Sequence, residues 1–487
     1  MTTIAGVTNL RLKFPGSDSL LFKDLSLSFR KGEKVLLLGP SGSGKSTLLQ
    51  VLTGLIPNSV EVPMKADEVK APSSWGFVFQ DPDSQFCMPY VDEEIAFVLE
   101  NVGVQPQEMP TLIKDYLKQV GIELDSIHTN INTLSGGMKQ RVAIASVLAL
   151  EPEVLFLDEP TAMLDPQGTK EVWDTLKSVS NDRTLLIVEH KIDYVIDIVD
   201  RVIILSDDGR ILADGTKADV FREYKHLLID QGIWYPGVWD DYLKNQSRKL
   251  DHYEDSVNKG SVLSLIDFSA YRGKEKKLEV GKLEVYPGEW IAVIGENGAG
   301  KSTFLHSLMK LIKTKGTYRL NGYDHNKIKR ITDVVTFVFQ NPEFQFVTNT
   351  VFDEIAYTLR LDHWDEDRIV ERVNELLDFY HLEERKDNHP YQLSMGQKRR
   401  LSVGAAIVKE QPILLLDEPT FGQDAKNTFA ILEQLESLRE KGTTIMMVTH
   451  DLEIVKHFAT RVLRIRDGML VEDFPSTKLK TELATAK

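Results

Sequence analysis

GPSGSGKST, from Gly39 to Thr47, follows the apolar run 34–38 and precedes a segment of helical character that starts at Lys45. A strand, a turn with the spacing GxxxxGK[ST] and a helix form a P-loop. Its glycines let successive backbone N–H groups curl around an anion, and the helix N-terminus adds the positive end of its dipole. Gly39, Pro40, Ser41, Gly42, Ser43, Gly44, Lys45, Ser46 and Thr47 are the expected phosphate contacts. Lys45 is suited to β- and γ-phosphates, and the Ser46 hydroxyl to Mg²⁺. The stretch places the chain in the α/β class.

The same pattern returns as GENGAGKST, whose residues Gly295, Glu296, Asn297, Gly298, Ala299, Gly300, Lys301, Ser302 and Thr303 repeat the set. Its lysine lies 256 positions after Lys45. FVFQDPDSQF, with Gln80, returns as FVFQNPEFQF, with Gln340, at an offset of 260. LSGGMKQR from Leu134 and LSMGQKRR from Leu393 differ by 259, as do Asp158 and Asp417 in VLFLDEPT and ILLLDEPT. His190 and His450 stand 260 apart. Motifs recurring in one order at a nearly constant offset mark a duplication. The expected organisation is a first domain over 1–222, a partly packed linker over 223–260, a second domain over 261–475 and a polar tail over 476–487 that frays. The linker contains two tryptophans, Trp234 and Trp239, and is too apolar for a purely flexible tether, so part of it should pack on the first domain before a mobile stretch near 251–260.

Composition limits what the chain can be. Over 487 residues, 42% are hydrophobic and 27% charged, the balance of a globular protein. No apolar run approaches the roughly 18 residues a transmembrane helix needs. The first residues show no secretory apolar core, so a cytoplasmic chain is expected. A single cysteine, Cys87, excludes an internal disulfide or a cysteine-based zinc site within one chain. The net charge of −15 disfavours nucleic acid as a partner.

Short apolar runs at 153–158, 184–189 and 201–205, with equivalents near Ile413, Thr444 and Arg461, read as buried parallel strands. Between each sensor glutamine and its LS-motif lie stretches of helical character such as 109–121 and 365–380. Each copy thus reads as an α/β core carrying an inserted helical subdomain, giving two tandem P-loop NTPase domains.

Asp158 and Asp417 end apolar strands facing the P-loops, where an aspartate holds Mg²⁺ through its hydration shell. Glu159 and Glu418, one residue on, can orient water and take its proton.

Together LSGG, the DEPT segments, the glutamine after FVFQ and the histidine after the next strand resemble the ABC (ATP-binding cassette) ATPases over nearly the whole chain. The resemblance implies ATP and Mg²⁺ as ligands and a head-to-tail pairing of the two cassettes within one chain. Each ATP would be held by one P-loop and the other cassette's LS-motif. It also implies Glu159 and Glu418 as catalytic bases and His190 and His450 as γ-phosphate switch residues. Metal contacts would come from Ser46, Gln80 and Asp158 and from Ser302, Gln340 and Asp417. Ser135, Gly136 and Gly137, and Ser394 and Gly396, would meet the opposite nucleotide. Asp165 and Asp424 match the D-loop aspartate, and Phe14 and Tyr271 the aromatic that stacks on adenine. Two departures distinguish the copies: Met138 follows the first LSGG, and Met395 replaces a glycine in the second, where it would narrow the site closed on Lys45.

The segments QDPDSQF with Gln85 and QNPEFQF with Gln345, followed by VDEEIAF and VFDEIAY, resemble the energy-coupling factor (ECF) group of ABC importers. That likeness implies an ATPase peripheral to the cytoplasmic face of the membrane, working for a vitamin, a thiamine precursor or a metal ion. Its partners would be a transmembrane coupling subunit and a substrate-capture membrane protein. Asp92, Glu93, Glu94, Asp353 and Glu354 would meet arginines of the coupling subunit. A fused sugar-importer ATPase and a soluble two-cassette translation factor are the alternatives. If the LS-serines donate to ATP only in the closed state, Ser135→Arg or Ser394→Arg leaves equilibrium ATP binding largely intact. Turnover should then fall on the order of 100-fold in steady-state ATPase assays.

Overall fold

The computed structural model describes residues 2–16, 19–162, 164–180, 183–190, 192–244 and 260–479. They form two compact units, one from Met1 to Val238 joined by Asp424–Lys426, the other over Trp239–Gln423 and Asn427–Lys487.

In the first unit a six-stranded sheet runs in the order Ile211–Thr216, Arg201–Leu205, Lys34–Leu38, Thr184–Val188, Val154–Asp158, Trp75–Val78. All neighbours are parallel except the first pair. The P-loop strand Lys34–Leu38 is central, so its C-terminal end opens between two strand ends rather than at an edge. The strands are short and buried on both faces, which is why they read as continuous Val, Leu and Ile runs instead of alternating ones. A separate antiparallel sheet pairs Thr3–Leu12 with Phe22–Arg30 and with the short strands Met64–Lys65 and Glu68–Lys70. Its inward side chains, among them Leu10, Leu12, Phe22 and Phe29, share one core with Leu48, Leu49 and Leu52 of the helix Lys45–Leu52.

The second unit repeats both sheets, with Lys34–Leu38 replaced by Trp290–Ile294 and its parallel neighbours by Arg461–Arg466, Thr444–Val448, Ile413–Asp417 and Val335–Val338. Here a single parallel link, Glu279 to Met469, joins the two layers into a ten-stranded sheet. The inserted helices are Val91–Asn101, Met109–Gln119 and Gly136–Leu148 in the first unit, and Val351–Leu361, Glu366–Phe379 and Met395–Ile407 in the second. Their stripes are plain: Met109, Ile113 and Leu117 bury one face of the first-unit helix, and Ile369, Val373, Leu376 and Leu377 that of Glu366–Phe379.

The linker is divided between the units. Leu228, Ile233 and Tyr235 are buried in the first. Trp239 and Tyr242, by contrast, pack edge-on and face-on against Phe429 of the second, and the Tyr242 hydroxyl donates to Glu433. The expectation of packing on the first domain therefore covers only part of it, because the two exposed-prone aromatics find their apolar partners on the other side of the boundary. Of the expected mobile stretch, 251–259 lie outside the described residues. The expected tail begins with packed chain: Ser476 and Leu479 are buried, Leu479 within the second core, and 480–487 lie outside the described residues.

One duplicated ion cluster fixes the start of each P-loop strand. Arg461, almost wholly buried, reaches Glu289 at 3.1 Å and Asp473 at 2.6 Å and donates to the Glu284 carbonyl. Arg201 does the same with Glu33 at 3.4 Å, Asp214 at 2.6 Å and the Ser28 carbonyl, but in a more exposed setting. A buried charge stripped of its partner costs about 3–5 kcal/mol. Glu289→Ala is therefore expected to lower the unfolding free energy of the second unit by about that much in urea denaturation, and Glu33→Ala that of the first by clearly less.

Candidate active sites

The P-loops sit where each central strand ends and its helix begins. Gly44 and Gly300 enter the helices in the left-handed region, with φ of 90° and 106°. A Cβ on Gly44 would lie 2.7 Å from the Phe22 ring, so the turn admits no side chain there. The lysines that follow fold over their own loops. Lys45 Nζ donates to the Gly39 and Pro40 carbonyls at 2.8 and 2.9 Å, and Lys301 Nζ to those of Gly295 and Glu296 at 2.8 Å each. Burial pushes the Lys45 ammonium below its ordinary pKa, against the pull of Glu159 and Asp158. This buried cation is held by two backbone carbonyls of its own loop.

Beside it stands the acidic strand end. Ser46 Oγ donates to Asp158 Oδ1 at 2.8 Å. Burial pushes the Asp158 carboxyl up to about 6, although the Ser46 hydrogen bond acts in the opposite direction. In the second copy burial likewise raises Asp417, Ser302 hydrogen-bonds it, and its buried Oδ1 has no hydrogen-bond partner.

At the next residue the chain leaves the strand. Glu159 has φ 49° and Glu418 φ 52°, a left-handed conformation uncommon outside glycine and asparagine. Each still donates its backbone N–H to the neighbouring strand, Glu159 to the Val188 carbonyl and Glu418 to that of Val448. The kink therefore separates two consecutive acids. Asp158 turns to the P-loop serine, and Glu159 to His190, whose Nε2 lies 3.0 Å from Glu159 Oε1. Gln80 Nε2 donates to the other oxygen, Oε2, at 3.2 Å. Burial alone would push the His190 imidazolium down, but the Glu159 charge and hydrogen bond together outweigh it and the histidine's pKa is raised. Burial would raise Glu159, and His190 more than offsets it, holding the carboxyl below its ordinary range. In the second copy His450 Nε2 lies 3.4 Å from Glu418 Oε1.

The second unit encloses these groups in a cavity of about 460 Å³, lined by Asn297, Gly298, Gly300, Lys301, Ser302, Thr303, Gln340, Asp417, Glu418 and His450, together with Arg272 and Lys277. The cavity thus gathers six residues of the second P-loop with Gln340, Asp417, Glu418 and His450, while Gly295, Glu296 and Ala299 are not part of its lining. Tyr271 is not part of that lining; the Lys315 ammonium lies 5.2 Å from its ring centre. Phe14 is partly exposed. Ser135 and Ser394 are N-caps: Ser135 Oγ accepts the Met138 N–H and Ser394 Oγ that of Gln397, each at 3.3 Å. The Gln397 side chain also accepts the Ser394 N–H, a second bond that Met138 cannot make. Asp165 caps its own helix by accepting the Gly168 N–H. Met395 is half exposed.

The role of the second glutamine in each Q-x-P-x-x-Q stretch was not evident from sequence. Gln85 accepts the Phe79 N–H and donates to the Ala143 carbonyl, both at 3.2 Å, tying the segment after Gln80 to the helix headed by Ser135. Gln140 Nε2 donates to the Phe79 carbonyl, and Lys139 pairs with Asp83 at 2.7 Å. The second copy repeats all three ties: Gln345 exchanges hydrogen bonds with Ser402, Arg399 donates to the Phe339 carbonyl, and Lys398 pairs with Glu343. Regular spacing between the two motifs was the available signal, since the three partners recur at matched positions.

Of the acids expected to meet a partner's arginines, Glu94 and Glu354 are corrected: both are buried and turned inward. Glu94 Oε2 accepts the N–H groups of Cys87 and Met88, and Glu354 Oε2 those of Val347 and Thr348 with the Thr348 hydroxyl. Two unpaired backbone donors at the turn need a buried acceptor, and that demand claims the carboxylate. Asp92 contacts His128 and Asp353 pairs with Arg360, leaving Glu93 exposed.

Residues 22–162 and 278–421 each match the family profile ABC_tran, described as ABC transporter. The chain belongs to that family. Its two cassettes are ATPase domains that bind ATP. A Bacillus subtilis (strain 168) protein described as "Putative HMP/thiamine import ATP-binding protein YkoD" is 35% identical over 96% of this chain and 90% of its own length. A Streptococcus pneumoniae serotype 4 protein, "Putative ABC transporter ATP-binding protein", is 36% identical over 92% of this chain and 86% of its own. Among solved structures, the archaeal ribosome recycling factor aABCE1, in complex with the ribosomal stalk protein aP1, has a TM-score of 0.64. It covers 98% of this chain and 92% of that one at 19% identity, a likeness of fold alone.

The ties through Gln345 generate a local test. Gln345→Ala is expected to speed amide hydrogen exchange over residues 339–348 by about tenfold, the equivalent of one lost net hydrogen bond, with P-loop amides unchanged.

Proposed function

We propose that this chain is the ATP-hydrolysing, energy-coupling subunit of a membrane importer of ECF type. The observation that carries the reading is the presence in both cassettes of the full acid, histidine and glutamine set around a P-loop, in a chain whose whole length parallels a relative named for HMP/thiamine import. The proposed cargo is a vitamin, a thiamine precursor or a metal ion, and that name supports the first two. The partners it calls for are a transmembrane coupling subunit and a substrate-capture membrane protein, with the chain peripheral to the cytoplasmic face. No described helix is long and apolar enough to cross a membrane, so passage of cargo falls to those partners.

In the proposed mechanism the P-loop amides and Lys45 or Lys301 bind the polyphosphate, and the lysine exchanges its carbonyl partners for phosphate oxygens. The residues present fit Mg²⁺. Ser46 with Asp158, and Ser302 with Asp417, offer the oxygen donors a hard cation takes, and Asp417 keeps one buried oxygen free. Among the described residues no group of three or more His, Cys, Asp or Glu side chains could hold a metal by itself, so the ion's remaining ligands would come from phosphate and water. When bound it neutralises phosphate charge. Gln80 and Gln340 orient the attacking water, Glu159 and Glu418 take its proton, and His190 and His450 hold those carboxylates in place and reach the γ-phosphate.

Two measurements test this. Glu159→Gln and Glu418→Gln are each expected to remove a substantial part of ATP turnover, and the double variant to fall at least about 100-fold; full activity in either single variant would contradict two hydrolytic sites. Affinity purification from membranes is expected to recover hydrophobic integral subunits, and recovery with ribosomes instead would overturn the transport reading.

A further inference from the structure

The second nucleotide site carries cations that the family motifs do not supply and the first copy lacks. Arg272 lines the second cavity along with Lys301, next to the expected adenine-stacking Tyr271. Its guanidinium is exposed and makes no hydrogen bond or ion pair with any described residue. Lys277, the other cation on that wall, is already paired with Glu275. In the first copy the matching hairpin positions hold Pro15 and Leu21. Chain geometry supports the match, because the carbonyls of Leu21 and Lys277 close in the same way on Gly209 and Gly468. A second substitution points the same way. The helix headed by Ser394 buries Arg399 where the first copy buries Gln140, and both donate to the carbonyl just before the sensor glutamine.

Arginine on an exposed wall with no acidic partner among the described residues, lining the cavity that also holds the P-loop, is suited to an anion. We propose that Arg272 is a nucleotide-binding residue particular to the second cassette, contacting the polyphosphate of ATP and making this the tighter of the two sites. The proposal rests on the ATP-site reading above. It predicts that the second site retains nucleotide at concentrations where the first exchanges it, so that the first cassette is the one whose occupancy follows ATP supply.

The test uses the full-length chain carrying Lys45→Ala, so that binding reports the second site, and a fluorescent non-hydrolysable ATP analogue competed by ATP or by adenosine. Arg272→Gln is expected to weaken ATP about tenfold, the loss of one charge-assisted hydrogen bond, and to leave adenosine unchanged. Arg272→Lys should restore most of the affinity, and raising salt should narrow the difference. Because the side chain is exposed and unpaired, the ligand-free melting temperature should not move, which separates a binding role from a structural one. Unchanged ATP affinity in Arg272→Gln, while Lys301→Ala abolishes binding, would overturn the role of Arg272 and spare the site. Binding that also survives Lys301→Ala would overturn the site itself, and this proposal with it.

Discussion

Both sites depend on a single backbone constraint, the left-handed turn at Glu159 and Glu418. Two consecutive residues at a strand end would ordinarily point to opposite faces of the sheet, one into each helical layer. Chemistry at a P-loop needs both acids on the same edge but aimed at different atoms. A positive φ of 49° or 52° delivers this, turning the chain after the aspartate while the glutamate's N–H stays bonded to the next strand. The conformation costs an L-residue about 1–2 kcal/mol. It is offset locally by the histidine beside each glutamate, which in the first copy holds the carboxyl below its ordinary range, and there also by the Gln80 amide. Burial raises the pKa of the neighbouring Asp158, so the two acids answer one environment in opposite ways.

Much of this was legible in sequence, because the motifs are local. Strand, glycine turn and helix follow one another without a gap, so the chain order of GPSGSGKST is also its spatial order. The buried parallel strands read correctly since all-apolar runs have no other soluble home at that length. What sequence could not supply were directions. Nothing in DEPT announces the left-handed glutamate, as the kink is enforced by the sheet rather than by a glycine. Nor does VDEEIAF show that Glu94 faces inward: its neighbours Asp92 and Glu93 are equally acidic, and only the unpaired N–H groups of Cys87 and Met88 decide which carboxylate is taken. The division of the linker at Val238 and Trp239 was equally hidden, because an exposed-prone tryptophan can pack on either neighbour and composition does not say which.

The ties made by Gln85 and Gln345 connect the reactive end of each cassette to its helical insert. Gln80 sits on one side of the short segment and contacts Glu159, while Gln85, five residues on, is fixed to the helix that Ser135 begins. Three independent contacts of different chemistry, an amide, a carbonyl acceptor and an ion pair, join the same two elements in both copies. No single one of these contacts carries the link between the segment and the LS-helix alone. The acid that caps the following helix from within, Glu94 or Glu354, extends the same fixed body to the surface on which a partner would act.

Where the duplicated copies keep a contact and where they change it follows from that requirement. The ties, the kinked glutamates and the arginine clusters under the P-loop strands recur with their geometry intact, because each fixes a relation between two elements and either partner alone is useless. Substitutions gather instead at positions that meet the ligand or solvent: Pro15 and Arg272, Leu21 and Lys277, Met138 and Gln397, Gly136 and Met395. Gln140 and Arg399 obey both rules at once, keeping the hydrogen bond to the carbonyl before the sensor glutamine while adding a buried positive charge near Asp417 and Glu418 in the second copy alone. The mechanical frame of the two cassettes is thus held in common, and their difference is electrostatic, which allows two sites to run the same motion with unequal hold on the nucleotide.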